Sequence, residues 1–198
     1  MDEEEISYFS EEEKAEVLEM WKKQPMRQLK ISKVVVHMGV GVSGEKLEKG
    51  IKVLKSLTNQ TPVKLIAKKT VRDFGIRKGE PITTKVTLRG GPAIAFLTRA
   101  LSVVENKIKY SSFDNHGNFA FGINEHIELP NTAYDPSLGI FGLDVCVNVE
   151  HPGYRNSRRR KYQCKIPKTH KTTKLETMIF LNTKLNVDIV KEYVISYY

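Results

Sequence analysis

The sequence lacks most of the features that mark secreted, membrane or metal-binding proteins. It has only two cysteines, Cys146 and Cys164, and no C-x-x-C pair, so we expect neither a disulfide framework nor a zinc site. No apolar run approaches the roughly 20 residues of a transmembrane helix. The acidic start at residues 1–5 is also the reverse of a basic signal peptide. We therefore expect a soluble, cytoplasmic protein with no membrane partner.

Catalytic constellations are missing as well. The histidines beyond position 100 are scattered without metal-ligand spacing, and no nucleophile, base and acid form a recognisable triad. No pair of carboxylates stands in an apolar setting. The sequence therefore predicts a protein that is not an enzyme and that needs no cofactor or metal.

Acidic residues are scarce outside the N-terminal leader. Nine carboxylates fall within residues 1–19 with only Lys14 against them, while the remaining 179 residues carry 31 Lys/Arg and 14 Asp/Glu. Such a surplus repels itself unless a polyanion neutralises it, and a phosphate backbone does so by releasing condensed counterions. The charge distribution therefore predicts a nucleic-acid-binding protein.

The cations form two clusters. Residues 64–89 hold eight Lys/Arg against Asp73 and Glu80, and residues 154–174 hold nine Lys/Arg with no acid. Runs of like charge stay solvated or disordered until a partner arrives. We expect the basic segment, residues 152–174, to become ordered only on RNA.

Local patterns predict helices alternating with strands. Capping boxes at Ser10 and Thr173 predict helices over residues 11–23 and 174–185, and Ser43 can cap a helix to residue 57 that ends at Asn59. A further helix is expected over residues 91–107. Strands are predicted at residues 33–39, 63–68, 83–89, 118–123 and 141–149.

The strand at residues 83–89 alternates cleanly, with Thr84, Val86 and Leu88 on one face and a polar, cationic face opposite. A sheet with one polar face favours an α+β two-layer sandwich with a mostly antiparallel sheet and helices on one side. We predict one RNA-binding domain over residues 26–190, after a leader with a short helix (1–25) and before a tail (191–198).

Residues 39–44 match G-x-G-x-x-G between a strand and a helix, the context of a dinucleotide-binding turn. The expected acidic residue about 20 positions on is replaced by Lys68 and Lys69, which an NADP-dependent oxidoreductase could use. The polar face at residues 83–89 argues against a parallel sheet covered on both sides. Glycines that only form a tight turn are the favoured interpretation.

The loop at residues 68–81 places Phe74 and Ile76 between cations, with Gly75 and Gly79 freeing the backbone. In one interpretation it is a basic hairpin whose Phe74 packs in the core. In the other it is a projecting arm whose cations meet phosphates while its apolar tip packs on sugars or bases. The residues alone leave both open.

Six motifs follow one another along the chain: VHMGVG (36–41), NQTPV (59–63), the loop at 68–81, KVTLRG (85–90), GNFAFG (117–122) and YDPSLGI with GLD (134–144). In this order they resemble the ribosomal protein L5 family, the large-subunit proteins that bind 5S rRNA. The resemblance covers about residues 26–186, and the basic segment is similar to the archaeal and eukaryotic branch.

The resemblance implies a structural role in the central protuberance, where the protein would attach 5S rRNA to large-subunit rRNA beside neighbouring ribosomal proteins. It also implies that the loop at residues 71–81 reaches peptidyl-site tRNA. A general RNA chaperone is the alternative among binding proteins. By resemblance, His37, Gln60 and Thr87 contact the 5S rRNA.

The basic clusters supply the other predicted contacts. Further rRNA-binding candidates are Lys64, Lys68, Lys85, Arg89, Arg155, Arg158, Arg159, Arg160 and Lys161. The predicted tRNA-binding loop comprises Arg72, Phe74, Gly75, Ile76, Arg77, Lys78 and Gly79.

Three departures from the family pattern stand out. Asn59 occupies a position where many members have Gly, and His151 occupies one where Arg is usual, which would remove a phosphate contact. The leader at residues 1–19 and the tail at residues 192–198 match no known pattern. The leader could shield the basic body before assembly or keep the free protein soluble.

Overall fold

A computed structural model describes residues 8–130, 132 and 135–191. The chain divides into two compact units: unit 1 comprises Met1–Ser32, Val104–Phe119 and Val147–Tyr198, and unit 2 comprises Lys33–Val103 and Ala120–Cys146. The single domain expected over residues 26–190 stays a prediction. The first seven residues of the leader, Tyr134 of the sixth motif and the tail from 192 lie outside the described residues.

Five helices and seven strands occur in the described part of the chain. The helices are α1 (Glu11–Lys23), α2 (Glu45–Thr58), α3 (Gly91–Val103), α4 (Arg155–Arg158) and α5 (Lys174–Leu185). The strands are β1 (Lys30–Gly39), β2 (Val63–Ile66), β3 (Pro81–Leu88), β4 (Lys107–Lys109), β5 (Phe119–Ile123), β6 (Leu143–Glu150) and β7 (Asp188–Val190).

Five of the strands form one sheet in the order β2-β3-β1-β6-β5. Strand β3 pairs antiparallel with both β1 and β2. The predicted α+β class with a mostly antiparallel sheet is thereby confirmed. The dinucleotide-binding interpretation of residues 39–44 is wrong, because that fold is built on parallel strands, whereas β1 has the antiparallel β3 beside it.

Side-chain alternation sets the core of unit 2. Val34, Val36 and Met38 of β1 are fully buried, and Thr84, Val86 and Leu88 of β3 are buried beside them. The apolar faces of α2 and α3 are buried as well. At Gly50 of α2, an added Cβ would lie 3.0 Å from Met38 Sδ and 3.2 Å from Val40 Cγ2. Gly50 therefore lets α2 approach β1 closely.

Both predicted capping boxes are present in unit 1. Ser10 caps α1 together with Glu13, and Thr173 caps α5 together with Glu176. The acidic helix α1 buries only Val17 and Trp21, and the Trp21 ring meets Phe180 of α5 edge-on at 6.4 Å. This unit also holds a parallel pair, β4 and β7.

Several local predictions need correction. Ser43 does not cap α2, because its hydroxyl donates to Glu80 and the N-cap residue is Gly44. Helix α3 ends at Val103 instead of residue 107, since Glu105 and Asn106 adopt positive φ angles of 54° and 58°. Strand β2 ends at Ile66 instead of residue 68, and its register with β3 shifts between Leu65 and Ile66. The short β4, β7 and α4 have no clear sequence signal.

Asn59 ends α2 in the left-handed conformation predicted for it, with a φ angle of 53°.

Among the described residues, no helix combines the length and apolar character needed to cross a membrane.

Candidate nucleic-acid interface

Unit 2 presents a polar sheet surface opposite its buried face. We call this surface the open face; it comprises Lys33, Val35, His37, Thr83, Lys85, Thr87, Asp144 and Cys146. The register between β1 and β3 sets His37 opposite Lys85 and Val35 opposite Thr87. Thr87 is exposed, and His37 and Lys85 are half-buried. Three of the predicted contacts therefore lie side by side on adjacent strands.

The open face also carries a hydrogen-bond partner for His37. His37 Nδ1 lies 3.1 Å from Asp144 Oδ2 of β6, so the imidazole N–H donates to the carboxylate. The Asp144 side chain is 65% exposed. This pair holds the His37 ring on the surface, where the ring can contact a ligand laid on the sheet.

Cys146 is a free, exposed cysteine two residues beyond Asp144. Desolvation of its sulfur, followed by the Asp144 charge, raises the pKa of the Cys146 thiol. Because the thiolate is the nucleophilic form of cysteine, this thiol is a neutral surface group at physiological pH.

The remaining sheet candidates are distributed differently. Lys64 pairs in register with the buried Thr84, so it lies on the helix side of β2, where its amine forms an ion pair with Glu48 of α2. Gln60 is exposed in the turn before β2, and Arg89 is exposed just after β3. The structure therefore separates Lys64 from the open face and leaves Gln60 and Arg89 exposed outside the strands of the sheet.

The predicted tRNA-binding loop has a fixed base. Main-chain bonds join Ala67 N–H to Glu80 O at 2.8 Å and Gly79 N–H to Ala67 O at 2.9 Å. The Glu80 carboxylate accepts from the Ser43 hydroxyl and from Arg77 N–H at 3.1 Å. These two hydrogen bonds, with a smaller contribution from the Arg77 charge, lower the pKa of Glu80. The carboxylate therefore stays ionised and stabilises the two ends of the loop where they meet.

The tip of this loop projects into solvent. Val71 and Ile76 pair across it through reciprocal main-chain hydrogen bonds of 2.9 and 3.0 Å. Phe74 between them is 77% exposed, so the interpretation in which this ring packs in the core is wrong. Cations flank the ring, because the exposed Lys68, Arg72, Arg77 and Lys78 lie along the same loop.

The basic segment in unit 1 is mostly irregular, apart from the single turn of α4 and a short 3-10 helix at Lys168–His170. All five predicted cations are exposed: Arg155, Arg158, Arg159, Arg160 and Lys161. Arg159 Nε donates to the Tyr162 carbonyl at 2.6 Å. Whether the segment becomes ordered only on RNA stays a prediction.

Arg158 differs from its neighbours because it has an acidic partner. Its guanidinium forms an ion pair with Glu150, whose side chain is only 5% exposed. Among the described residues, Arg155, Arg160 and Lys161 have no such partner. Arg158 therefore stabilises unit 1, whereas the charges of the other three are free for a ligand.

His151 lies at the base of the basic segment and points inward. Its side chain is 3% exposed, and Nε2 lies 3.5 Å from Glu176 Oε2. The His170 ring is 5.2 Å from it, and His170 Nε2 lies 2.9 Å from the Pro152 carbonyl. His151 thus ties the two ends of the segment to α5 and does not reach a phosphate.

Burial alone would raise the pKa of Glu176, but the hydrogen bonds from His151 and Thr173 and the charge of His151 outweigh burial and lower that pKa. No local pattern indicates this pair, because its two members are separated by the whole basic segment. Asp144 was also missed as a site residue, although the alternation of β6 placed it on the polar face.

Within the described ranges, no three His, Cys, Asp or Glu side chains are placed to hold a metal ion.

Two family models match most of the chain. One is described as ribosomal protein L5 and matches residues 24–77. The other is described as the ribosomal L5 family C-terminus and matches residues 81–180. Together they include the open face, the loop and the basic segment.

Archaeal proteins named large ribosomal subunit protein uL5 are similar over nearly their whole length. The protein of Sulfurisphaera tokodaii is 51% identical over 168 residues, which is 84% of this chain and 95% of the relative. That of Aeropyrum pernix is 49% identical over 177 residues, 89% of this chain and 92% of the relative. That of Pyrobaculum aerophilum is 51% identical over 168 residues, 85% of this chain and 94% of the relative.

Proposed function

This chain belongs to the ribosomal protein L5 family, and on that premise we propose that it binds 5S rRNA through the open face and peptidyl-site tRNA through the loop at residues 71–81. Membership of the family gives the general role: the chain is a structural, non-catalytic constituent of the large ribosomal subunit. The archaeal relatives also match the branch that its basic segment resembles.

The observation that carries the proposal is the register of β1 and β3. It brings His37 and Thr87, which the resemblance implies as 5S rRNA contacts, onto one surface with Lys85. Cations and hydroxyls on a flat sheet suit RNA, because phosphate and sugar contacts fix orientation while polar groups read exposed bases. Thr87 and Arg89 are exposed, so an anionic ligand can approach them.

The two parts of the proposal predict separable losses. Lys85→Ala with Thr87→Val removes an amine and a hydroxyl from the open face without breaking the strand, and should weaken 5S rRNA binding. Arg77→Ala with Lys78→Ala should leave that affinity largely intact and weaken tRNA placement. The matched control is Lys46→Ala with Lys55→Ala, two exposed cations of α2.

Salt-titrated binding of archaeal 5S rRNA to each variant measures the first effect, and tRNA footprinting on reconstituted large subunits measures the second. The affinity should fall steeply with salt. Equal losses of 5S rRNA affinity in the loop and open-face variants would refute the division of labour. An unrelated structured RNA that competes equally well with 5S rRNA would favour the general RNA chaperone.

A further inference from the structure

A notch opens at one end of the sheet in unit 2, beside the His37–Asp144 pair. Its volume is about 300 Å³, and its lining includes Gly39, Gly122, Asn124, Gly142 and Asp144. This volume lies at the lower limit of ligand pockets, which run from about 300 to 1,000 Å³. It is therefore large enough for one small group.

Glycines give the notch a floor made of main chain. An added Cβ at Gly142 would lie only 3.2 Å from the Asn124 carbonyl, and one at Gly122 would lie 3.9 Å from Asp144 Oδ1. A side chain at Gly142 would press on the Asn124 main chain, and one at Gly122 would lie in contact with the Asp144 carboxylate. The glycines therefore let a ligand reach Asp144 over an uncovered backbone.

Asp144 is the acidic group of the open face, where a carboxylate is unfavourable for a polyanion. Its Oδ2 accepts the His37 N–H at 3.1 Å, and its Oδ1 is the atom that a Cβ at Gly122 would approach. An ionised carboxylate only accepts hydrogen bonds, through about four lone-pair sites. The notch therefore selects a ligand that presents donors.

We propose that the notch binds one unpaired guanine of the bound RNA, with the Asp144 carboxylate accepting from N1–H and N2–H of its Watson–Crick edge. Guanine presents two adjacent donors on that edge, whereas adenine, cytosine and uracil each present one. Unpaired bases are read on this edge in RNA recognition. The inference rests on the proposed RNA binding, and it names the base that the open face reads.

His37 acts here as a positioning residue. Its N–H fixes one carboxylate oxygen, and its ring lies at the border of the notch, since a Cβ at Gly39 would be 3.8 Å from His37 Cε1. The pair therefore holds the carboxylate in place before RNA arrives.

Asp144→Asn tests the proposal through the sign of its effect. The amide oxygen of Asn can still accept from His37, so folding should be preserved. If Asp144 made no contact with RNA, removing its negative charge would tighten binding to a polyanion. If it contacts guanine, the affinity of Asp144→Asn for archaeal 5S rRNA should instead fall roughly 10- to 100-fold, the usual discrimination of a good bidentate base contact. The matched control is Glu45→Gln, an exposed acid in the first turn of α2, which should bind equally well or slightly tighter.

A second readout identifies the base. In 5S rRNA transcripts carrying scattered inosine, which lacks the N2 amino group, wild-type protein should select against inosine at one unpaired guanine, and Asp144→Asn should abolish that selection. Asp144→Asn binding as tightly as wild type, or inosine tolerated at every unpaired guanine, would overturn the guanine contact. If the guanine contact is overturned in this way while Lys85→Ala with Thr87→Val still weakens 5S rRNA binding, the proposed function survives. Wild-type protein that does not bind 5S rRNA would overturn both.

Discussion

Two neighbouring arginines of the basic segment should have opposite roles. Arg158 is ion-paired with the buried Glu150, whereas Arg160 is exposed and has no acidic partner among the described residues. Arg158→Ala should therefore lower the stability of the protein and leave its RNA affinity nearly unchanged. Arg160→Ala should do the reverse.

The structure sets the size of each effect. Removing one partner of a fully buried ion pair costs about 3–5 kcal/mol, but the Arg158 side chain is 49% exposed, so solvent already screens the pair. We expect Arg158→Ala to lower the free energy of unfolding by about 1–2 kcal/mol. For Arg160→Ala, the slope of log Kd against log salt should fall by about 1, the value for one lost phosphate contact.

Urea unfolding and salt-titrated 5S rRNA binding measure the two quantities on the same preparations. An unchanged slope m with a lower midpoint would show that Arg158→Ala changed stability alone. If Arg158→Ala instead reduces the salt slope as much as Arg160→Ala does and leaves the urea midpoint unchanged, Arg158 contacts RNA. The assignment of separate roles would then be wrong.

Two further predictions concern the fold of unit 1. Gly117→Ala should destabilise the protein by about 2–4 kcal/mol, because at a φ of 73° its Cβ would lie 2.1 Å from Thr177 Oγ1 and 2.9 Å from the Thr173 carbonyl. The control is Gly153→Ala, which is also at positive φ but has its nearest atom 3.6 Å away, so it should lower the free energy of unfolding in urea clearly less. Equal losses for the two variants would contradict the steric argument. The lowered pKa of Glu176 stabilises the fold above its ordinary pKa of 4.5, and this stabilisation is lost as pH falls through the folded pKa. Glu176→Gln should therefore flatten the pH dependence of the urea midpoint below about pH 4.5, whereas an unchanged pH profile would show that the pair with His151 contributes nothing.

The sequence predicted the parts of the fold that local patterns control. The capping boxes at Ser10 and Thr173 set the starts of α1 and α5, and strict alternation assigned the buried face of β3. These signals are strong because each depends on residues a few positions apart. The end of α3 was placed too late, because the apolar stripe continues while the backbone turns at Glu105.

Contacts between distant segments could not be predicted in the same way. Lys64 is predicted to contact rRNA with the other cations of residues 64–89, but the register with β3 turns it toward α2. The replacement of the usual Arg by His151 is predicted to remove a phosphate contact, and the structure shows why: His151 is buried against Glu176. In each case an acidic partner far along the chain decides the role, and composition does not reveal which cation it will neutralise.

The distribution of charge on the described residues separates affinity from recognition. On the open face, Lys33 and Lys85 are accompanied by hydroxyls, a thiol and the His37–Asp144 pair, whereas the loop and the basic segment carry clusters of exposed cations without acidic partners. Phosphate contacts supply salt-dependent affinity without sequence information, and polar contacts to base edges supply specificity. We therefore expect variants of Arg160 to weaken binding to every RNA alike and to lower its salt dependence. Variants of Asp144 should instead lose preference for one RNA with little change in salt dependence, because no phosphate contact is removed.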